Sequence, residues 1–194
     1  MSGSAQAAQT ILVFGDSVSA AYGIAEQRGW VALLAGQLKR EQRHYIVVNA
    51  SISGETTAGG LARLPKMLAV HRPAIVILAL GGNDGLRGLP VEQMKRNLAA
   101  MVELSQRAGA RVLLAGMRLP PNYGPEYTRA FETAFAEVAK ERRCALLPFL
   151  LEGVAERDEY FQPDRIHPNE AAQPLIAENV LKALRPLLRT RSAP

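Results

Sequence analysis

Ser17 stands in Gly15-Asp16-Ser17-Val18-Ser19, directly behind the apolar run Thr10 to Phe14. A hydroxyl at the end of a buried strand, at the first turn of the segment that follows, has positive dipole behind it and can serve as a nucleophile. The same residues also suit a helix N-cap made by Asp16 or Ser17. The elbow pattern G-x-S-x-G fails at Ser19, which disfavours an α/β-hydrolase. A serine nucleophile needs an imidazole base and a carboxylate to hold that base in one tautomer. The chain has three histidines, His44, His71 and His167. His44 and His71 each fall in the last turn of a predicted helix just before a strand, at the amino edge of the sheet, where a histidine partners the helix dipole. His167 lies in Asp164-Arg165-Ile166-His167-Pro168, a Pro-bounded turn in which one short loop can deliver both base and orienting acid. Its alternative is a surface turn with an Asx cap.

A tetrahedral acyl intermediate further requires donors about 3 Å from the developing oxyanion. Ser17 N–H, Gly54 N–H (in Ser51-Ile52-Ser53-Gly54-Glu55-Thr56) and the Asn83 side chain (in Gly81-Gly82-Asn83-Asp84-Gly85) are the candidates. Taken singly, the glycines read as turn residues and Asn83 as an Asx turn. Taken jointly, a Ser after the first apolar run, a Gly after the second, an Asn after the third and Asp-x-x-His after the fifth must converge if those runs form one sheet.

The runs are Thr10 to Phe14, Tyr45 to Asn49, Ala74 to Leu80, Arg111 to Gly116 and Ala145 to Pro148. Most are continuously apolar, as strands of a parallel sheet covered on both faces are. Between and after them come segments of helical period: Gly29 to Arg43, Thr57 to His71, Pro90 to Ala108, Pro125 to Arg143 and Gln173 to Leu188. Pro174 fits the last of these only in its first turn. Strict alternation with right-handed crossovers predicts an α/β fold, a three-layer α/β/α sandwich around a flavodoxin-like five-stranded parallel sheet of order 2-1-3-4-5. Ligands in such sheets bind beyond the carboxyl ends of the strands, near the switch between the first and third.

With 194 residues the chain is long enough for one domain with a real core. Hydrophobic residues at 48% and charged residues at 21% exclude a disordered tail, a collagen-like fibre and a disulfide scaffold. Residues 1–9 read as a scar and leader remnant, 10–189 as the single domain and 190–194 as a frayed end. No apolar run approaches the roughly 18 to 20 residues of a membrane span, so the chain is expected to be soluble. The net charge of +5 comes from basic residues that are spread and mixed with acidic ones, a solvated surface rather than a nucleic-acid face. The arginines of Arg185 to Arg191 offer at most peripheral contact with anionic lipid, and a monomer is expected. Cys144, just before a predicted buried strand, reads as an inert thiol. No Cys/His cluster, H-E-x-x-H, phosphate loop or G-x-G-x-x-G is present, so no metal and no organic cofactor is expected.

The set Phe14-Gly15-Asp16-Ser17-Val18-Ser19-Ala20-Ala21-Tyr22-Gly23, then Gly54, then Gly81-Gly82-Asn83-Asp84, then Asp164-Arg165-Ile166-His167-Pro168-Asn169 resembles the GDSL or SGNH hydrolase family. Within it the chain is similar to the bacterial branch of esterases called arylesterase, acyl-CoA thioesterase I or lysophospholipase. The likeness runs from about Thr10 to Leu184 and includes Arg118-Leu119-Pro120-Pro121-Asn122-Tyr123-Gly124. The branch's usual Leu after the nucleophile is Val18 here. The resemblance implies Ser17 as nucleophile, Gly54 and Asn83 with Ser17 N–H as oxyanion donors, His167 as base, Asp164 as its partner, a small acyl ester or thioester as substrate, and export to the periplasm, with a cytoplasmic enzyme as alternative. Leu86, Leu119, Pro120 and Tyr123 are candidate walls of an acyl groove with a movable lid. The leucines otherwise cap the core beneath. Two further readings stay open: an O-acetylesterase acting on acetylated sugars, and a flavodoxin-like ligand-binding module without enzymatic activity.

Overall fold

Runs of Leu with the β-branched Val and Ile, whose χ1 is stiff, are apolar on both sides and pair into one parallel sheet. The structure is a computed structural model that describes residues 8–41 and 43–188. Its strands are β1 (Gln9–Gly15), β2 (Tyr45–Asn49), β3 (Ile75–Ala79), β4 (Arg111–Ala115) and β5 (Ala145–Leu147), in the order β2-β1-β3-β4-β5. The expected flavodoxin-like order is therefore present. Ile11 pairs with both Val47 and Ile75, and Gly15 with Ala79, so the carboxyl ends of the central strands finish level with one another.

Alternate residues of each strand enter opposite layers. Ile11 and Val13 pack with Trp30, Leu34 and Leu38 of α1 (Trp30–Arg40) and with Ile176, Val180 and Leu184 of α6 (Gln173–Leu184). Leu12 and Phe14 face Leu64 and Leu68 of α2 (Thr57–His71), Met94 and Leu98 of α4 (Val91–Arg107), and Phe131 and Phe135 of α5 (Pro125–Arg142). Each such leucine, fully removed from water, contributes about 1.5–3 kcal/mol. Pro174 sits in the first turn of α6, where its missing N–H costs nothing.

Three local expectations change. Ser17 does not open a helix: it begins a series of turns, and α1 starts only at Trp30. Gly82–Leu86, expected to be loop, forms a short helix, α3, whose Gly85 N–H bonds the Gly81 carbonyl at 3.0 Å. Helix α1 ends at Arg40, so His44 lies outside it, with its carbonyl accepting from Gln9 N–H beside β1; His71 does close α2. Residues 1–7 and 189–194 lie outside the described residues, and with them most of the expected leader remnant and the whole of the expected frayed end.

Candidate active site

Gly15 ends β1 where no side chain fits: a Cβ there would meet Ser19 Oγ at 2.6 Å and the Ala79 carbonyl at 2.9 Å. This close approach lets the chain turn sharply and bring the largely buried Ser17 to the rim of the sheet. Asp16 makes an Asx turn instead of the helix N-cap that its sequence also suited, its Oδ1 accepting from Val18 N–H at 3.1 Å. The Ala20 N–H then bonds the Asp16 carbonyl and the Tyr22 N–H bonds the Ser17 carbonyl, so a compact turn rather than a helix dipole backs the serine.

The loop between β5 and α6 places His167 against that turn. Nε2 of His167 lies 2.9 Å from Ser17 Oγ, and Nδ1 lies 2.7 Å from Asp164 Oδ2. Asp164 Oδ1 also accepts from the N–H groups of Ile166 and His167, at 2.9 and 3.0 Å. The His167 N–H, the His167 ring and the Ile166 N–H together hold the Asp164 carboxyl down to about 2. An ionised Asp164 fixes the proton on Nδ1 and leaves Nε2 as the acceptor for the serine hydroxyl. Gln162 stitches the loop in place: its Nε2 donates to the carbonyls of Tyr22 and Pro168, at 2.8 and 3.1 Å, and its N–H donates to the His167 carbonyl. Arg165 takes a left-handed conformation, φ 58°, which lets the turn close over so few residues.

Gly54 has φ +78°, a conformation that favours glycine, in the turn before α2. Asn83 lies in α3, its Nδ2 donating to the Glu55 carbonyl at 3.1 Å and reaching Asp16 Oδ2 at 3.4 Å. Burial pushes the Asp16 carboxyl up to about 6, against the pull of the Val18 N–H and of nearby His167. Ser17, Gly54 and Asn83 thus meet at one edge with His167 and Asp164.

Sequence reasoning missed the residues that clamp this edge. Asp84, buried, accepts from the Thr57 N–H at 2.8 Å and from the Thr57 hydroxyl at 2.6 Å. Asn97 of α4 donates to the same hydroxyl at 3.0 Å, and Gln93 donates to Asn97 at 2.9 Å. This network locks the start of α2, three residues past Gly54, to the residue following Asn83. Arg87 adds a bond to the Gly54 carbonyl at 3.1 Å. An acidic residue next to a candidate donor was the only signal, and it is a weak one.

The four candidate groove residues divide. Leu119 packs under α3, where a Cβ on Gly85 would meet its Cδ2 at 2.7 Å, so it caps the core as the alternative reading held. Leu86 is partly exposed, Pro120 is exposed, and Tyr123 donates its hydroxyl to the Leu86 carbonyl at 2.9 Å. Tyr127 does the same for Leu89 at 2.7 Å, so two phenols hold both ends of the segment after Asn83. A cavity of about 420 Å³ lies between α4 and α5, lined by Val91, Pro125 and Arg129 among others, and one of about 230 Å³ lies beside α1 and β2; neither is lined by Ser17. Burial raises the Cys144 thiol to about 11, at the opposite edge of the sheet, which makes it a poor nucleophile. Among the described residues, no three His, Cys, Asp or Glu side chains gather where they could hold a metal ion. No helix among them is long and apolar enough to cross a membrane.

With this geometry in view, the likenesses are specific. Residues 13–174 match the family described as GDSL-like Lipase/Acylhydrolase. The chain is 55% identical over 182 residues to "Esterase TesA" of Pseudomonas aeruginosa, covering 94% of this chain and 90% of that protein. It is 45% identical over 184 residues to "Thioesterase 1/protease 1/lysophospholipase L1" of Escherichia coli, covering 95% of this chain and 87% of the other. Among solved structures, the psychrotrophic esterase EstA from Pseudoalteromonas sp., inhibited by monoethylphosphonate, superposes with a TM-score of 0.88 at 42% identity, covering 92% of this chain and 97% of that one.

Proposed function

The chain belongs to the GDSL-like lipase/acylhydrolase family, and we propose that it hydrolyses carboxylic esters and thioesters through an acyl-enzyme on Ser17. The observation that carries this reading is the continuous contact from Ser17 Oγ to His167 Nε2, and from His167 Nδ1 to Asp164. His167 takes the Ser17 proton as the hydroxyl attacks the carbonyl carbon. Ser17 N–H, Gly54 N–H and the Asn83 amide receive the negative oxygen. His167 then returns the proton to the departing alcohol or thiol, and a water activated by the same nitrogen releases the acid.

The names of the relatives support esters and thioesters as the substrate class, and the exposed Leu86 beside Tyr123 supports an apolar acyl chain lying along that side. On the same likeness, residues 10–189 form the hydrolase domain of a monomer exported to the periplasm. A fluorophosphonate probe should label the wild type and not Ser17→Ala, which should fold normally and lose hydrolysis of p-nitrophenyl butyrate. An unlabelled wild type, or a fully active Ser17→Ala, would overturn the reading. A rate that rises with acyl length across the p-nitrophenyl series is expected of the apolar side; a flat series argues against it.

A further inference from the structure

We infer that Tyr22 is the platform on which the departing alcohol sits, and that it selects planar aromatic alcohols over aliphatic ones. The inference rests on the acyl-transfer reading above and adds a subsite to it. Tyr22 is half exposed, yet its ring lies 4.4 Å from that of His167, centroid to centroid, with the planes tilted by 38°. The side chain is held from behind rather than by its own hydroxyl. Ala21 before it takes φ 57°, the Tyr22 N–H bonds the Ser17 carbonyl at 3.1 Å, and the Tyr22 carbonyl accepts from Gln162. The backbone that carries the ring is therefore fixed, and the ring rests beside the base with much of its surface turned to solvent, where something bound next to the base can cover it.

The layers of the fold say what that something is. Gly54 leads into α2, and Asn83 and Leu86 lie in α3, which leads into α4; both α2 and α4 pack on the Leu12 and Phe14 side of the sheet. Tyr22 leads toward α1 and His167 toward α6, the pair on the opposite side. A carbonyl attacked by Ser17 directs its oxygen to the donors and its leaving oxygen to the nitrogen that will protonate it, His167 Nε2. The oxyanion and the leaving group are thus sent to opposite sides of the sheet edge. The group attached to the leaving oxygen then extends from Nε2 over the neighbouring Tyr22. A flat aromatic ring meets Tyr22 face to face or edge to face, an arrangement worth about 0.5–1.5 kcal/mol beyond area alone. Ile166, half exposed and adjacent to His167 in the chain, adds an apolar flank.

The experiment holds the acyl group constant and changes the alcohol. We would measure kcat/KM, which reports acylation, for phenyl and 2-naphthyl acetate against 2,2,2-trifluoroethyl acetate in the wild type, Tyr22→Phe, Tyr22→Leu and Tyr22→Ala. Comparing each variant with the wild type cancels the intrinsic reactivity of each ester. The aryl-to-alkyl ratio should fall roughly five-fold in Tyr22→Leu and Tyr22→Ala, within the range of one aromatic contact, and should keep its wild-type value in Tyr22→Phe. An equal loss on all esters in the Leu and Ala variants would make Tyr22 a support for His167 and overturn the inference. So would a changed preference for acyl length when the same variants are assayed on the p-nitrophenyl ester series, which would put the acyl chain on Tyr22. A wild type that neither hydrolyses esters nor takes the fluorophosphonate label would instead remove the acyl-transfer reading itself.

Discussion

Asp16 and Asp164 are both carboxylates within reach of the same imidazole, yet their surroundings drive them apart. Asp164 receives two backbone N–H groups and the His167 ring and stays ionised down to a pH of about 2. Asp16 is buried with fewer donors, and its carboxyl rises to about 6. The sign of the consequence follows from proton counting. Between about pH 4 and 6 the folded chain holds a proton on Asp16 that the unfolded chain has released, so stability on that account falls as pH rises through this window. A shift of this size corresponds to roughly 3 kcal/mol. Asp16→Asn, which keeps the Asx-turn acceptor, should flatten the dependence of the urea midpoint on pH between 4 and 6. A midpoint that keeps its wild-type slope there would show that Asp16 is not the titrating group. Asp164 contributes with the opposite sign: its stabilisation is complete above about pH 4 and is lost as pH falls toward 2.

At the scale of elements, the turn that carries Gly54 and the short helix α3 that carries Asn83 are held to one another by Thr57, Asp84 and Asn97 rather than by the sheet. Thr57→Val removes the hydroxyl that links Asp84 to Asn97 and leaves buried polar groups unpaired, a loss of about 1–3 kcal/mol. If the link also sets the spacing of the donors, kcat should fall with KM little changed, and Thr57→Ser should restore both kcat and stability. A loss of stability with kcat intact would make the network purely structural. For comparison, Asn83→Ala, which deletes a proposed oxyanion donor outright, should cost about 10² to 10³ in kcat.

These elements also mark where sequence reasoning reached its limit. The strands were legible because a parallel sheet covered on both faces demands unbroken apolar runs, and Ile75–Ala79 is such a run. Helix α3 was not, because Gly-Asn-Asp-Gly-Leu has the composition of a turn; its backbone is held helical by tertiary bonds to Asp84 and Asn83. The Ser17, Gly54, Asn83 and Asp164–His167 set was legible because each residue follows a strand end, and the topology does the rest. Tyr22, Gln162 and Thr57 were not, since their partners lie far off in the chain and their types are common in ordinary turns.

Over the whole molecule, the two layers are joined to the site unequally. Gln173, buried at the start of α6, accepts from the Trp30 N–H at the start of α1 at 3.0 Å and donates to the Asn169 carbonyl at 3.0 Å. One side chain therefore ties both helices of that layer to the loop carrying His167. Gln173→Leu should strand the Trp30 N–H and lower stability by about 1–3 kcal/mol, read from urea denaturation. It should also slow fluorophosphonate labelling at temperatures where the fold is intact, because the His167 loop has lost an anchor. Unchanged labelling would confine Gln173 to the core.

Ser17 and His167 sit 150 positions apart, one after the first strand and one just before the last helix. A ribosome has to deliver nearly the whole domain before the two can meet, and a refolding chain has to finish its sheet and seat α6. No partly built molecule can cut an ester by this route, so the fold itself acts as a timer. In a refolding experiment, esterase activity should return with the slowest structural phase, behind the recovery of helix, and so report the completion of assembly rather than its onset.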